Sequence, residues 1–420
     1  MPGCLCMGVA SADIVVVGGG IIGMACASLL QRDGRQVTVV DPAPVGRGCS
    51  FGNAGLVALD HILPLARAEV LLGGPRMLVD PLSPLHLRWS GLPGLLPWLC
   101  RFALAARPGQ VVRGTRVLAD LLREAVPAWE RLAKNAGVSA LFSRQGYLTI
   151  FETPKAARAA EAENRVLQAH GIGFKMLKDA DVKAMVPDLA AKIAAGRYHP
   201  DAIHTVDPFG VVRGILDRFV IDGGRVIDQQ VVDFITEDGS VVGLRLNGGT
   251  VKANAVVVAA GVGAAALVRQ LGVHAPLIAE RGYHVMVDGT DIRLDTPLLF
   301  AERGFVATPM KAGLRLAGTV EFGAREPNWK RAESLRNQAA TLFDRPGLTE
   351  QARWFGDRPT LPDYLPMISP APHHRNVTLA FGHQHLGLTL AAITGEMVAD
   401  LVQNRPLKLD IGALRSDRFR

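Results

Sequence analysis

The apolar pattern near the start of the chain is unbroken rather than alternating. Ile14-Val15-Val16-Val17 is a β-branched run, as expected of a strand covered on both faces in a parallel sheet. It passes into Gly18-Gly19-Gly20-Ile21-Ile22-Gly23 and then an Ala- and Leu-rich stretch, Met24 to Gln31, which predicts a helix stopped at Asp33-Gly34. Gln36 to Val40 predicts a second strand ending on Asp41. The whole reads as one compact β-α-β unit.

Beyond it the pattern changes kind. Helical spacing predicts helices over 111–137, 155–170, 179–185, 329–343 and 390–401, and one capped by Asp207 that runs to about 221. Strands are predicted at 145–151, 225–227, 231–235, 255–261, 279–287, 298–308, 314–319 and 377–381. Between 61 and 110 the pattern is irregular, broken by Pro64, Pro75, Pro81, Pro84, Pro93, Pro97 and Pro108. Its one helix-like block, Leu92 to Ala106, fits packing inside a second lobe. It also fits peripheral contact with a membrane surface, with Arg101 and Arg107 beside Trp98 and the leucines.

The fold class expected is mixed α/β: a Rossmann-like nucleotide domain built from discontinuous segments (1–90, 186–265 and 350–420), with a β-rich substrate domain from 91–185 and 266–349. At roughly 150 residues per domain, 420 residues agree with two or three lobes. Hydrophobic residues at 49% and charged residues at 20% exclude wholesale disorder. The net charge of +7 is thin, and no Lys/Arg run of five occurs, so nucleic acid is not an expected partner. Five cysteines lack metal spacing, and Cys4-Leu5-Cys6 is too tight for a zinc knuckle, so no metal and a reduced, cytoplasmic setting are expected. No apolar run reaches the roughly 18 residues of a membrane span.

Each part of the first unit has a chemical task. Gly18 permits a tight turn off the strand, Gly20 lets backbone N–H groups approach a pyrophosphate, and Gly23 lets helix and strand pack closely. The pyrophosphate then meets the positive end of the helix dipole, and Asp41 can accept from both ribose hydroxyls, which disfavours a 2′-phosphate. The unit alone is common to FAD and NAD binding. Four further stretches accompany it in order: Ser50-Phe51-Gly52-Asn53-Ala54-Gly55, Val256 to Gly261, Arg358-Pro359-Thr360-Leu361-Pro362-Asp363, and Gly382-His383 followed by Gly387-Leu388-Thr389.

Taken together, these stretches resemble the D-amino-acid oxidase superfamily of FAD-dependent amine oxidoreductases. The chain is most similar there to bacterial D-amino-acid dehydrogenases, including those acting on cyclic imino acids such as D-hydroxyproline. The resemblance spans residues 12 to about 402. It implies noncovalent FAD, held by Gly18, Gly20, Ile21, Ile22, Gly23, Asp41, Ser50, Asn53, Ala54, Gly55, Ala260 and Gly261. Backbone near Val232 would meet the adenine, and Gly387, Leu388 and Thr389 would face the flavin edge. Many relatives carry Glu where Asp41 stands.

The implied chemistry is hydride transfer from the α carbon of an amino or imino acid to flavin N5, with oxygen or a quinone as reoxidant. One departure matters: relatives such as glycine oxidase carry a carboxylate-binding Arg where this chain has Met310. Arg358, which matches a family Arg near the ring, and Arg303 are the candidate replacements. His383, His385, Tyr283 and His284 are candidates for contact with substrate or flavin edge, and each also fits plain packing. Cys49 is not expected to attach to the flavin. The rivals are an NAD-dependent dehydrogenase, a flavin-containing binding or assembly subunit with an inactive pocket, and an oxidase of L-amino acid or sarcosine type, and either a monomer or an oligomer is compatible with the sequence.

Overall fold

The computed structural model describes residues 10–79, 83–324 and 326–419; Cys4, Cys6 and Pro81 lie outside them. Two sheets organise the chain. In the first, parallel strands run in the order Arg225–Ile227, Val37–Val40, Ala10–Val17 and Gly249–Val258. The last of these is long enough to be shared. Its first half pairs with Ser240–Leu246 and its second half with Val377–Phe381. Val15, Val16, Val257 and Leu379 are fully buried, as the unbroken apolar runs require.

The helices Ile21–Arg32 and Gly387–Val402 cover one face of this sheet and cross closely. A Cβ on Gly395 would come within 3.0 Å of the Ala25 backbone. The helix Pro108–Asn135 packs on the second of them, where Trp129 donates its indole N–H to Leu388 O at 2.8 Å. The stretch Gln384–Val402 does satisfy the length and composition of a membrane span, contrary to expectation, yet 67% of it is buried in this core. Its helix starts at Gly387 rather than 390, with Leu388 and Thr389 already buried in its first turn.

The second sheet has the order Glu350–Thr360, Ile278–Val287, Gly313–Phe322, Phe305–Met310, Leu298–Phe300, Tyr147–Phe151, Ala195–His199 and Lys175–Leu177. The single strand expected at 298–308 is two strands, turned back at Gly304 with φ of 64°. Segment 350–420 enters the nucleotide sheet only from Met367 onward, through Met367–Pro370 and Val377–Phe381. Glu350–Thr360 pairs along its length with Ile278–Val287 instead. Leu85–Leu87 and Ala195–His199 also belong to the second sheet. Strand partners far apart in sequence set these memberships, and local pattern does not carry them.

Side chains alternate across this sheet. One face, with Tyr283, Val285, Phe305 and Leu316, packs under the helix Lys330–Leu342. The other, with His284, Trp354, Arg358, Arg315 and Thr308, looks towards the nucleotide unit. The block Leu92–Ala105 packs Trp98 and Phe102 against Tyr364 and turns Leu96 and Leu104 outward.

Candidate active site

The glycines of the first turn are under steric compulsion. Gly18 has φ of 109°, and a Cβ there would lie 2.4 Å from Ala259 O. A Cβ on Gly23 would lie 1.9 Å from Gly18 O, so helix and turn touch through backbone. Gly20 is extended and offers no capping side chain to the helix Ile21–Arg32. Ser50 Oγ accepts from Ile21 N–H at 2.9 Å instead. The Asp41 carboxylate accepts from Gly19 N–H at 2.6 Å and from Ala43 N–H at 2.8 Å, which leaves each oxygen a further lone pair.

Gly23→Ala is expected to cost about 1–3 kcal/mol of overpacking, borne by the position of the helix start. FAD affinity should therefore fall by about tenfold or more, measured as flavin retained per protein after dialysis. Retention equal to the parent's would contradict this role for Gly23.

The loop after Asp41 is clamped by the second lobe. Four consecutive carbonyls accept hydrogen bonds across the gap. Arg315 Nη1 donates to Phe51 O at 3.4 Å and Asn53 O at 2.6 Å, His284 Nδ1 to Gly52 O at 3.1 Å, and Thr308 Oγ1 to Ala54 O at 2.8 Å. The His284 bond fixes the tautomer, since a carbonyl can only accept. Burial pushes its ring down to about 3, so it is neutral, and its ring stacks on Trp354 at 5.3 Å. Trp354 lies flat on Gly52, where any Cβ would strike the indole. Burial also draws Arg315 down to about 10, which leaves it charged at neutral pH. Asn53 Oδ1 accepts from Gly55 N–H, and Met310 packs its methyl against Gly55.

Arg358 sits at the centre of a second constellation. Its Nη1 donates to Glu280 Oε1 at 3.1 Å and Thr319 O at 3.3 Å, and its Nη2 lies over side-chain-free Gly282. Glu280 is 1% exposed, and its other oxygen accepts from Thr360 Oγ1 at 3.1 Å and Tyr364 Oη at 3.0 Å. The Tyr364 ring is 6.5 Å from His385, which meets His61 edge-on at 5.2 Å. Burial holds His385 well below its ordinary value, with His61 and Arg358 acting in the same sense and Asp60 opposing them. Cys49 is exposed at this opening. Partial desolvation pushes its thiol up, against the pull of Arg358.

The remaining candidates lie elsewhere. Tyr283 is on the opposite face of its strand from His284. Its hydroxyl donates to Glu321 at 2.5 Å and accepts from Asn328 N–H, and burial followed by Glu321 pushes it up to about 12. Arg303 is held fork-to-fork by Glu152, both bonds 2.6 Å. His383 is buried against Thr394 Oγ1 at 2.9 Å, and its backbone bridges to Thr360, joining the two sheets. Val232 lies on an exposed edge with its carbonyl bonded to Gln270. Arg315, Thr308, Trp354, Glu280 and Tyr364 were not read from the sequence. Only the alternation of their strands could have placed them on the facing side.

The residues fit an extended dinucleotide. Asp41 closes one end and the open start of Ile21–Arg32 lies next to it. Ala260 and Gly261 begin a short helical turn with no capping side chain, and the helix from Gly387 likewise has none at its start. Thr389 Oγ1 donates to Leu56 O at 3.4 Å, tying that second helix start to the clamped loop.

Comparison with known proteins agrees. The family model described as DAO, FAD dependent oxidoreductase, matches residues 13–401. A D-amino-acid oxidase of Bradyrhizobium diazoefficiens is 31% identical, across 97% of this chain and 98% of its own. A D-amino acid dehydrogenase of Paramagnetospirillum magneticum is 32% identical, with the same coverage. The L-proline dehydrogenase structure from P. horikoshii superposes with a TM-score of 0.78 over 98% of both chains at 18% identity, a likeness of fold. A match over nearly the whole chain, on a glycine turn with no room for a Cβ at Gly18 or Gly23, places this protein in the DAO family of FAD-dependent oxidoreductases, with FAD as its cofactor.

Proposed function

We propose that the protein oxidises a D-amino acid or a cyclic imino acid such as D-hydroxyproline, between its two sheets, with Arg358 holding the substrate carboxylate. The carrying observation is the state of that guanidinium. Only Nη1 is committed, to Glu280 and Thr319. Nε and Nη2 complete no hydrogen bond among the described residues, and the side chain is 20% exposed. A free Nε/Nη2 edge is the fork that matches a carboxylate. Met310 supplies no cation at the position relatives use for this contact, which leaves it to Arg358.

FAD, when bound, supplies the acceptor for the hydride that leaves Cα. The chain's own residues must do the rest. Arg358 fixes the carboxylate and so the direction of the Cα–H bond. The substrate ammonium has to lose one proton before Cα can lose a hydride; a neutral His385 near Arg358 takes it in passing, since burial makes that ring a weak base that gives the proton up again. The product iminium then hydrolyses in water. Relatives named for D-amino acids support the D hand, and their division between oxidase and dehydrogenase leaves oxygen and quinone as the acceptors to compare.

Anaerobic mixing of the holoenzyme with D- and L-amino acids, D- and L-prolines and N-methylglycine tests this reading. D-amino or D-imino acids should bleach the flavin, and reoxidation by oxygen against a soluble quinone then identifies the acceptor. Bleaching by L-substrates or N-methylglycine in preference would overturn the assignment.

A further inference from the structure

Behind His385 lies a polar network that the carboxylate contact and cofactor grip do not use. His61 meets His385 edge-on, and its Nε2 is 3.8 Å from Asp60 Oδ1. Asp60 Oδ2 is 3.5 Å from His199 Nε2 and 3.1 Å from Arg197 Nη2. Arg197 also binds Glu163 at 2.7 Å. Tyr147 stacks on His199 at 4.9 Å. His199 in turn lines a surface cleft of about 410 Å³ with Leu59, Arg123, Arg144 and Asp201.

Three features make this more than a structural ion pair. First, His61 Nδ1, His199 Nε2 and Arg197 Nε are buried without a hydrogen-bond partner, while the Tyr147 hydroxyl sits against Asp60 and Thr149. Three unsatisfied polar atoms around one carboxylate form the surroundings that ordered water occupies. Second, His199 Nδ1 donates to Gly173 O, so in the neutral ring Nε2 presents a lone pair to the Asp60 carboxylate. A lone pair facing a carboxylate is a vacancy for one proton. Third, the line of groups runs from the substrate side to the cleft wall: His385, His61, Asp60, then His199, whose ring is 1% exposed and hands on to water in the cleft.

We propose that His61, Asp60 and His199, with bridging water, form a relay that carries the substrate ammonium's proton from His385 to the cleft at His199. This rests on the amino-acid reading above. The balance is simple. R–CH(NH3+)–COO− gives R–C(=NH2+)–COO−, one hydride and one proton; the hydride goes to FAD and the proton to the relay. Burial works against a charged Asp60, but His61, His199, Arg197 and the Tyr147 hydroxyl hold it well below the ordinary carboxylate value, so it stays ionised and holds a proton only in passing. Burial keeps His199 neutral at rest against the pull of Asp60, with Arg197 and His61 acting in the same sense as burial. Arg358 faces His385, and Glu163 faces Arg197, completing the charged groups around the line. His61, Asp60 and His199 touch no substrate in this scheme and act as positioning and relay groups.

The test uses His61→Ala holoenzyme, because His61 lies off the Arg197 ion pair, its side chain is 32% exposed, and the truncation leaves room for added imidazole. The probe is 2-aminoisobutyrate or 2-methylproline, each with the ammonium and carboxylate but no hydrogen on Cα. Stopped-flow mixing with a pH-indicator dye in weak buffer reads proton release without turnover. Wild type should release a proton on binding. The variant should release the same amount at least about tenfold more slowly, as losing a positioned proton acceptor implies. Added imidazole should restore the rate, and flavin reduction by a true substrate should gain a larger solvent isotope effect. Wild-type kinetics in the variant, or slow release that imidazole fails to restore, would overturn the relay. Oxidation without any proton release on binding would overturn it and leave the amino-acid reading standing. If no amino or imino acid binds at all, that reading fails and the relay fails with it.

Discussion

Arg358→Ala is expected to lower kcat/KM by about a hundredfold, chiefly through KM, because one charge-assisted bidentate contact contributes about 1.5–3 kcal/mol. A second effect accompanies it. Glu280 is 1% exposed, and losing its cation leaves a buried carboxylate uncompensated, at a cost of about 3–5 kcal/mol of folding stability. Low activity in this variant alone would therefore not separate a substrate clamp from a structural ion pair. The double variant Arg358→Gln with Glu280→Gln separates them. The amide oxygen that Glu280→Gln introduces can still accept from Thr360 and Tyr364, and no charge is stranded. Its urea midpoint should return close to that of wild type while kcat/KM stays about a hundredfold low. Recovery of kcat/KM together with stability would show that Arg358 is only structural.

The two lobes differ in how far their sequence discloses them. The first unit was legible because its signals are local: an apolar run, three glycines and an acid within about thirty residues. Structure then supplied the reason for Gly18 and Gly23, down to the position that Gly18 O would contest with any side chain at residue 23. The carbonyl clamp on residues 51–54 was not legible, since its donors at 284, 308 and 315 are more than 230 positions away and only sheet pairing brings them in. Tyr283 and His284 show the same limit on a smaller scale. As neighbours on one strand they had to face opposite ways, yet which one faces the cofactor lobe depends on register with Gly313–Phe322. Arg303 was a sound candidate by charge alone. The structure gives it to Glu152, a strand away in space and 151 residues away in sequence.

Acid should dismantle this protein through histidines that the fold keeps neutral. Burial pushes His284 and His383 down to about 3 and His204 down to about 4, whereas an unfolded histidine titrates near 6.5. Below that unfolded value the unfolded chain takes up protons that the native state refuses, so each residue lowers stability as pH falls. Their contribution is fully present above about pH 6.5 and is progressively lost towards the folded values near 4 and 3. The slope is about 1.4 kcal/mol per pH unit for each residue, or roughly 2 kcal/mol each at pH 5. Three such groups then remove about 6 kcal/mol, comparable with the whole stability of an ordinary domain. His284 also donates to Gly52 O in the clamped loop, so its protonation strains the same loop that the cofactor needs. Urea unfolding of the holoenzyme at pH 7.5 and pH 5 should show a large fall in midpoint, accompanied by flavin release. His383→Gln should remove about one proton's share of the pH dependence, since a neutral amide can keep a hydrogen bond to Thr394 and cannot be charged by acid. Equal midpoints at the two pH values would mean that these rings already carry protons in the folded state, and the electrostatics assigned to the clamp would have to be abandoned.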